Sequence, residues 1–414
     1  MEKGVALHDD PRAERIAEPA LTALPRGTNQ SGMRAHNERL VLTLVRSHGA
    51  LAKTDIARLT GLSAQTVSVI MRQLEQDGLL LRGEPIRGKI GQPSVPMSLN
   101  PEGAFFLGLK VGRRSADLIV TDFLGRIRGS QRRVYRYPTP DAVVGFVAEA
   151  WPHLVAGLPE DARDRVTGMG VAIPFQLWNW VAILGAPQAE MDAWRNRDIG
   201  PELAALTGLP VYVQNDATSA CGAELVFGTG EKSKDFLYFY FGTFIGGGLV
   251  VNGQLFLGRS GNAAGIGPMQ VAGPDGRTQR LLDLASMSVL AEAMERAGES
   301  SDYLWEQTTR WDMPEAILSA WMDGAARALA QATLAAASLV EIEAVVIDGW
   351  MPAEIRAEMT RRVEAAFHRL DLAGIAPPAI REGTVGPDAR ALGAAAIPLS
   401  QRYLIDHNAP AREG

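Results

Sequence analysis

Residues 53–70 constrain the fold of this sequence more than any other stretch. Two short helical patterns flank Gly61, which supplies a left-handed residue at the end of the first, and Ser63 is a good N-cap for the second. The apolar positions that we expect to be buried are Ile56, Ala57, Leu59, Val67, Ile70 and Leu74. An ordinary helical hairpin shares parts of this pattern. The tight spacing favours a helix-turn-helix, whose second helix enters the major groove of DNA.

The second helix and the segment after it supply the side chains that we expect to contact DNA. The pattern predicts two short strands, over residues 79–82 and 95–99, around a glycine-rich, basic tip. This arrangement is typical of a wing, although a simple surface hairpin has the same pattern. Gln65 can bond adenine edges, and Arg72 can bond guanine or phosphate. Basic wing residues near phosphates add affinity without sequence information. The predicted contacts are Ser63, Gln65, Thr66, Ser68, Arg72, Arg82, Arg87 and Lys89.

The charge distribution agrees with a separate DNA-binding module. The net charge of −6 argues against general nucleic-acid binding by the whole chain. Residues 31–100, however, hold nine Lys and Arg against five Asp and Glu, so that segment carries +4 and the rest carries −10. A modestly basic module on an acidic body suits a DNA-binding domain joined to a domain with another role, although chance unevenness gives the same numbers.

Composition excludes several classes of protein. The 414 residues are 46% hydrophobic and 21% charged, which is typical of a globular protein with two or three domains. The sequence has no run of about 18 apolar residues and no apolar leader, so we expect no membrane span and a cytoplasmic location. Cys221 is the single cysteine, which excludes an internal disulfide and a multi-cysteine metal site, and we expect it in the core.

The chain divides into a tail, a small module and a large body. We expect a flexible tail over residues 1–30, a winged helix-turn-helix over 31–100 and an α/β body over 101–405. A strand-turn-strand-turn-strand pattern begins the body near Phe105 and recurs near Phe236, which predicts a duplicated, two-lobed body. The lobes span about 101–216 and 217–390, with the last helix packing back on the first lobe. Within the second lobe we expect a glycine-rich turn over 242–248 and one helix over 281–299.

Several motifs, taken in order, resemble blocks of the ROK family (repressors, open reading frames, kinases). They are Gly-Thr-Asn-Gln-Ser-Gly-Met-Arg at 27–34, Gly-Val-Ala-Ile-Pro at 170–174, Asn-Asp-Ala at 215–217, Gly-Thr-Phe-Ile-Gly-Gly-Gly at 242–248 and Leu-Gly-Ala-Ala at 392–395. The resemblance covers about residues 26–397. It implies a two-lobed fold like that of actin and hexokinase, to which the family's regulators add a winged helix-turn-helix.

The departures from the family pattern argue against an enzyme. Lys110 stands where the family's kinases have the Asp of their phosphate loop, and a cation cannot coordinate Mg²⁺. Phe244 replaces a glycine of the second phosphate loop, where a side chain obstructs close approach of the backbone. Gly265 replaces a Glu that contacts sugar, and Pro268 replaces a His that ligates zinc. We therefore expect neither a metal site nor a cofactor.

Four residues are candidates for binding a small-molecule effector. They are Asn215, Asp216, Gln176 and Gly265, all at positions that the resemblance places beside the family's sugar site. Asp216 also matches the general base of the family's kinases, so it has three interpretations. It is a vestigial catalytic base, a group that hydrogen-bonds a ligand hydroxyl, or a cap of the following helix.

The leading hypothesis is a transcriptional regulator, in particular a repressor of carbohydrate-related genes. It would bind a palindromic operator in double-stranded DNA as a homodimer or higher homo-oligomer, at the nucleoid. A small molecule, such as a sugar or sugar phosphate, would act as the effector. The alternative is an active sugar kinase of the ROK type that uses ATP. A third hypothesis is a DNA-binding protein whose body only dimerises.

Overall fold

The computed structural model describes residues 30–86, 94–180 and 185–405. The predicted tail over 1–30 therefore lies outside the described residues, apart from Gln30 at the start of the first helix. Within the described part of the chain, no helix is long and apolar enough to cross a membrane. We call residues 30–100 the head and the remaining described residues the body.

The head has the predicted helix-turn-helix and wing. Gly61 ends α2 in the left-handed conformation with φ of +71°, and the Ser63 hydroxyl accepts a hydrogen bond from the Thr66 backbone N–H at 3.1 Å. The strands form an antiparallel sheet in the order β1-β3-β2, and a bridge between Ile86 and Ser94 continues the β2-β3 hairpin. The elements are α1 (Gln30–His48), β1 (Ala50–Leu51), α2 (Lys53–Thr60), α3 (Ala64–Gln76), β2 (Leu80–Arg82) and β3 (Met97–Leu99).

One expectation about the core of the head is wrong. Val41, Val45, Ile56, Val67 and Ile70 pack together in its centre, but the Leu59 side chain is 45% exposed. Leu59 lies three residues after Ile56 and thus about 60° around α2 from it, with 3.6 residues per turn. The helix ends one residue later, so Leu59 points to solvent at the edge of the buried face.

The first lobe is a five-stranded sheet with helices. Its strand order is β6-β5-β4-β7-β8, in which β6, β5 and β4 are antiparallel and β4, β7 and β8 are parallel. Its elements are β4 (Phe105–Val111), β5 (Ser115–Thr121), β6 (Ile127–Val134), α4 (Pro140–Ala156), β7 (Val166–Ile173), α5 (Gln188–Asn196), α6 (Ile199–Thr207), β8 (Val211–Asn215) and α7 (Asp216–Phe227), with short 3₁₀ turns at Pro101–Gly103, Glu160–Arg165 and Leu177–Trp180.

The second lobe repeats this topology. Its larger sheet has the order β11-β10-β9-β14-β15, again with a three-stranded antiparallel meander followed by two parallel strands. This shared order supports the predicted duplication. The elements are β9 (Phe236–Phe241), β10 (Ile245–Val251), β11 (Gln254–Leu255), β12 (Gln270–Ala272), β13 (Thr278–Arg280), α8 (Leu282–Ala285), α9 (Met287–Arg296), α10 (Tyr303–Glu306), α11 (Glu315–Ala337), β14 (Ala344–Gly349), α12 (Ala353–Phe367), β15 (Ala379–Glu382), a 3₁₀ turn Gly386–Asp388 and α13 (Ala389–Tyr403).

The glycine-rich run at 242–248 is only partly a turn. Residues 245–248 belong to β10, so the predicted turn over the whole run is wrong. A Cβ on Gly246 would lie 2.6 Å from the Ala217 Cβ, and one on Gly248 would lie 2.3 Å from the Cβ of buried Cys221. These glycines allow the strand to pack directly on α7.

The predicted single helix over 281–299 is also wrong. Ser286 is extended, with ψ of 152°, and separates α8 from α9. Its hydroxyl accepts a hydrogen bond from the Ile245 backbone N–H at 3.0 Å, and its carbonyl accepts one from the Trp321 indole at 3.1 Å. The break lets this segment bond to β10 and α11 at once.

Helices α7 and α13 pack closely together between the two large sheets. A Cβ on Gly393 of α13 would lie 1.8 Å from the Ser219 carbonyl oxygen of α7. A Cβ on Gly170 of β7 would lie 1.9 Å from the Ala394 carbonyl oxygen. Since glycine alone permits such contacts, the last helix packs on the first lobe and on α7 at the same time.

The head and the body share a hydrophobic core. Phe106 and Phe123 of the first lobe and Tyr403 at the end of α13 belong to the same cluster as the core of the head. Arg46 of α1 donates a hydrogen bond to the Phe123 carbonyl oxygen, and its guanidinium lies 5.8 Å from the Phe227 ring centroid at the end of α7. The head is thus anchored where α7 and α13 both end.

Candidate functional site

The exposed face of α3 carries the side chains predicted to read DNA. Gln65 and Arg72 are exposed, while Thr66 and Ser68 are half-buried. Val69, which the sequence analysis did not single out, is 51% exposed between Gln65 and Arg72. An exposed apolar side chain at this place suits contact with a thymine methyl group. Its position, four residues after Gln65 and three before Arg72, is the signal by which it could have been found in the sequence.

The other predicted DNA contacts differ in their surroundings. The Ser63 hydroxyl lies 2.8 Å from the Thr66 hydroxyl and is already the cap of α3. Arg82 of β2 donates a hydrogen bond to Glu75 of α3, with Nη2 2.9 Å from Oε2. Its guanidinium therefore lies against the C-terminal end of the recognition helix. Arg87 and Lys89 lie outside the described residues.

The second candidate region is the cleft between the lobes, at the end of β4. The Lys110 side chain is 9% exposed, and its Nζ donates to Asp117 Oδ2 at 2.7 Å and to Ser115 Oγ at 2.9 Å. Asp117 Oδ1 in turn lies 3.4 Å from Arg132 Nε. These residues are direct partners across β4, β5 and β6. The register of the short β4-β5 hairpin places Lys110 opposite Asp117, so the length of the hairpin was the signal in the sequence for this pair.

Arg390 closes the cleft from the start of α13. Its Nη1 lies 3.4 Å from Asp216 Oδ2, and both side chains are 12% exposed. Its guanidinium also stacks 5.0 Å from the Tyr240 ring centroid. Nearby, the Arg113 guanidinium lies 4.3 Å from the ring centroid of Phe244, the residue that replaces a family glycine. Neither Arg390 nor Arg113 was among the predicted site residues.

Burial acts strongly on these charges. It lowers the pKa of Lys110 to about 8, with Arg390 contributing to the decrease and Asp117 opposing it. It also lowers the pKa of Arg113 to about 10, against the attraction of Asp216. A charged group in a low-dielectric site costs free energy unless opposite charge compensates it. The burial of these cations in the cleft therefore costs free energy.

Two adjoining cavities open in this cleft. The larger measures about 210 Å³ and the smaller about 40 Å³. Both are bounded by Lys110, Arg132 and Arg390 on one side and by Trp350 of the second lobe on the other. Arg132 stacks on Trp350, with its guanidinium 5.1 Å from the ring centroid, and Arg114 lies 5.5 Å from the Trp305 ring centroid. The walls are cationic and aromatic.

None of the four predicted effector residues lines these two cavities. Asn215 caps α7, because its Oδ1 accepts from the backbone N–H groups of residues 217 and 218 at 3.0 Å each. Gln176 has φ of +48° and accepts a hydrogen bond from the Asn179 side chain at 2.9 Å. Gly265 is exposed in a loop. Asp216 is the member of this set that pairs with a cavity residue, Arg390.

The residues present do not fit the metal ions that the family's kinases use. At the end of β4 the ammonium of Lys110 takes the place of a carboxylate ligand and binds the nearby Asp117. Pro268 cannot ligate zinc. Within the described ranges, moreover, no three His, Cys, Asp or Glu side chains group in a way that could hold a metal ion.

Two family models match this chain. The model of the ROK family matches residues 106–401, and the model of the winged helix-turn-helix DNA-binding domain matches residues 34–80. The two matches correspond to the body and the head. Their order agrees with the division that the structure has.

Similar proteins include named regulators. The chain is 23% identical to the xylose repressor of Bacillus subtilis over 243 residues, which cover 59% of this chain and 62% of the repressor, less than two thirds of its length. It is 27% identical over 393 residues to a transcriptional regulator of Mycobacterium tuberculosis, with 90% of this chain and 87% of that protein covered.

Solved structures with the same fold include both regulators and kinases. A ROK family transcriptional regulator, described as a homolog of the E. coli MLC protein, has a TM-score of 0.64 and 20% identity over 90% of this chain and 97% of its own. A ROK family glucokinase from Streptomyces griseus, bound to glucose and AMPPNP, has a TM-score of 0.54 and 23% identity, with 70% and 98% covered. At these identities the likeness concerns the fold.

Proposed function

This chain belongs to the ROK family, and we propose from this premise that it is a DNA-binding transcriptional repressor of carbohydrate-related genes. The observation that carries the proposal is the exposed face of α3, where Gln65, Val69 and Arg72 project from a helix that Ser63 caps and the head core holds in place. A recognition helix needs such a face to read base edges. The names of the repressor and regulator relatives support the same function.

The proposed DNA contacts divide into two groups. Gln65, Ser68, Val69 and Arg72 read bases, whereas Ser63, Thr66, Arg82 and the wing residues Arg87 and Lys89 contact phosphates. A homodimer or higher homo-oligomer binds a palindromic operator, because two-fold symmetry in the protein matches two-fold symmetry in the site. A chain with this function acts in the cytoplasm, at the nucleoid.

We further propose that the body senses a small molecule and does not transfer phosphate. Three side chains support this: Lys110 in place of a metal-binding carboxylate, Phe244 in the second phosphate loop, and Asp216 held by Arg390. A general base must be within reach of the proton that it takes, and here a guanidinium occupies one Asp216 oxygen. The effector residues Asn215, Asp216, Gln176 and Gly265 remain candidates for the organic part of the ligand.

Footprinting tests the DNA-binding proposal. The full chain should protect a site in its own upstream region, with half-sites about 10 bp or a multiple of it apart. Arg72→Ala should weaken binding by about 1–3 kcal/mol, whereas Arg310→Ala, which removes the same charge from an exposed place on the body, should leave binding unchanged. Full affinity in Arg72→Ala, or no protected site, would contradict the proposal.

A coupled ADP-release assay tests the sensing role of the body. With ATP, Mg²⁺ and a panel of hexoses and amino sugars, the chain should show no sugar-dependent turnover. Turnover that Asp216→Asn abolishes would identify a kinase instead. The same result would restore the catalytic interpretation of Asp216.

A further inference from the structure

The inter-lobe cleft gathers more positive than negative charge. Its two cavities are lined by five basic and two acidic side chains, which come from β4, the β4-β5 turn, β5, β6, the 3₁₀ turn before α13 and α13 itself. The basic residues are Lys110, Arg113, Arg114, Arg132 and Arg390, and the acidic ones are Asp117 and Asp388. Residues so far apart in sequence meet only because both lobes and α13 converge here.

The acidic groups do not balance this charge. Asp117 is shared between Lys110 and Arg132, and Asp216, behind the cavity wall, pairs with Arg390. Burial and the nearby Asp117 raise the pKa of Asp388, the third carboxyl group at this site. Counted over the described residues and with Asp216 included, five cations face three carboxylates. Mutual repulsion of the cations destabilises the empty site, and an anion in the cavity would relieve it.

The shape of the site limits the ligand. The larger cavity, about 210 Å³, is smaller than the roughly 300–1,000 Å³ typical of pockets for drug-sized molecules. Guanidinium groups bind phosphate oxygens directly, often through two parallel hydrogen bonds, and need no bridging metal ion. Ser130 and Gln131 of β6 and the Trp350 ring supply polar and flat apolar surface for a small organic group.

We propose that this cleft is a metal-free binding site for a phosphate-bearing small molecule, held by Lys110, Arg132 and Arg390. The phosphate of this molecule lies between β6 and the start of α13. It replaces some of the polar contacts that Lys110 of β4 and Arg132 of β6 make with Asp117. The role of this molecule as the effector rests on the proposed function. The binding site itself does not.

Titration calorimetry on the full chain tests the site directly. The probes are inorganic phosphate, pyrophosphate, glucose 6-phosphate and glucose, each in buffer with EDTA. Phosphate-bearing probes should bind saturably and glucose should not, and the strongest of the three distinguishes free phosphate from a phosphorylated sugar. Arg132→Gln, on half-exposed β6, should weaken binding about tenfold or more, since a charged hydrogen bond is lost.

Two variants control for binding elsewhere. Arg327→Gln removes the same charge from a second basic groove, between α11 and α12, and Arg72→Ala removes one from the head. Neither should change the affinity for pyrophosphate. Circular dichroism should show that Arg132→Gln is folded, and Lys110→Gln supplies an independent second variant in the cleft.

The outcomes separate this inference from the DNA-binding proposal. No saturable binding without metal, undiminished binding in both cleft variants, or loss of binding in Arg327→Gln or Arg72→Ala would overturn it. A chain that binds pyrophosphate in the cleft but protects no DNA would contradict only the proposed function. A chain that protects DNA but binds none of the phosphate probes would contradict only the site.

Discussion

At Lys110, burial and ion pairing act in opposite directions on one ammonium group. Asp117 from β5 attracts it, while burial and the positive charges of Arg132 from β6 and Arg390 from α13 disfavour its protonation. The result is a pKa of about 8, below the ordinary value of 10.5. Since one pKa unit corresponds to about 1.4 kcal/mol, the charged form costs stability in the folded state.

Lys110→Met should therefore stabilise the protein at neutral pH. Below about pH 8 the ammonium is charged in both the folded and the unfolded state, so the full cost of burying the charge is present. The free energy of unfolding of the variant should then exceed that of wild type by up to about 2–3 kcal/mol. Between pH 8 and 10.5 the unfolded state holds more protons, wild-type stability rises relative to the variant, and the difference should disappear. Urea unfolding at pH 7 and pH 10 measures it. A variant that is less stable at pH 7, or an advantage that grows with pH, would show that Asp117 outweighs burial.

Single residues also show the limits of sequence analysis. The replacement of the family Asp by Lys110 was visible, and it predicted the loss of metal binding. The partners of Lys110 depend on strand register and on α13, which starts 279 residues later. No periodicity in the sequence reports a contact over that separation, so the cationic character of the whole cleft could not be predicted.

Among the elements, the recognition helix depends on its cap. Ser63→Ala removes the acceptor of the Thr66 N–H and should cost about 1 kcal/mol of stability. Ser68→Ala is the matched control, because it truncates the same side chain within the same helix but outside the cap. It should leave stability nearly unchanged while weakening DNA binding. Urea unfolding measures the effect on stability, and fluorescence anisotropy with operator DNA measures the effect on DNA binding. Equal loss of stability in both variants would show that the cap has no special role.

Replacement of a glycine by alanine should destabilise the protein in α13 and stabilise it in α4. In Gly393→Ala the new methyl group would overlap the Ser219 carbonyl of α7, so the helices must separate, at a cost of about 3 kcal/mol or more. In Gly145→Ala of α4 the methyl group meets nothing within 4 Å, and the higher helix propensity of alanine should add about 0.5–1 kcal/mol. Thermal unfolding of both variants tests this. A harmless Gly393→Ala would mean that the two helices do not pack as closely as described.

The same packing explains which elements the sequence predicted. The turn at Gly61, the cap at Ser63 and the repeated meander are local signals, and each one is present in the structure. The glycines at 246 and 248 were mistaken for a turn because glycine also serves close packing, which depends on α7 and is not local. The break at Ser286 likewise follows from a bond to β10 that the sequence of the helix does not report.

For the whole molecule, α7 and α13 connect the cleft with the head. Asp216 is the first residue of α7 and Arg390 the second residue of α13, and these two form the ion pair beside the cavity. The helices end at Phe227 and Tyr403, on which the head is anchored. The 15 residues of α13 span about 22 Å. A ligand that moves Arg390 thus acts on one end of the packed pair of α7 and α13, whose other end carries the DNA-reading head.

This connection predicts that Tyr403→Leu will uncouple the head from the cleft. Tyr403 packs on the rings of Phe106 and Phe123, with centroids 5.9 and 5.0 Å away. In wild type, pyrophosphate should change DNA affinity by about 5–150-fold, the usual range of coupling between two sites, and DNA must change pyrophosphate affinity by the same factor. In Tyr403→Leu both ligands should still bind alone, since neither contacts this residue.

Fluorescence anisotropy with operator DNA, with and without pyrophosphate, measures the coupling in each protein. The factor by which pyrophosphate changes DNA affinity should fall toward one in Tyr403→Leu. It should stay at its wild-type value in Tyr212→Leu, a matched substitution on the edge strand β8, away from the head. If Tyr403→Leu keeps the full coupling factor, α13 is not the connection, because the contacts of Tyr403 with the Phe106 and Phe123 rings would be gone while the response persisted. A response lost in both variants would instead indicate that coupling is spread through the first lobe.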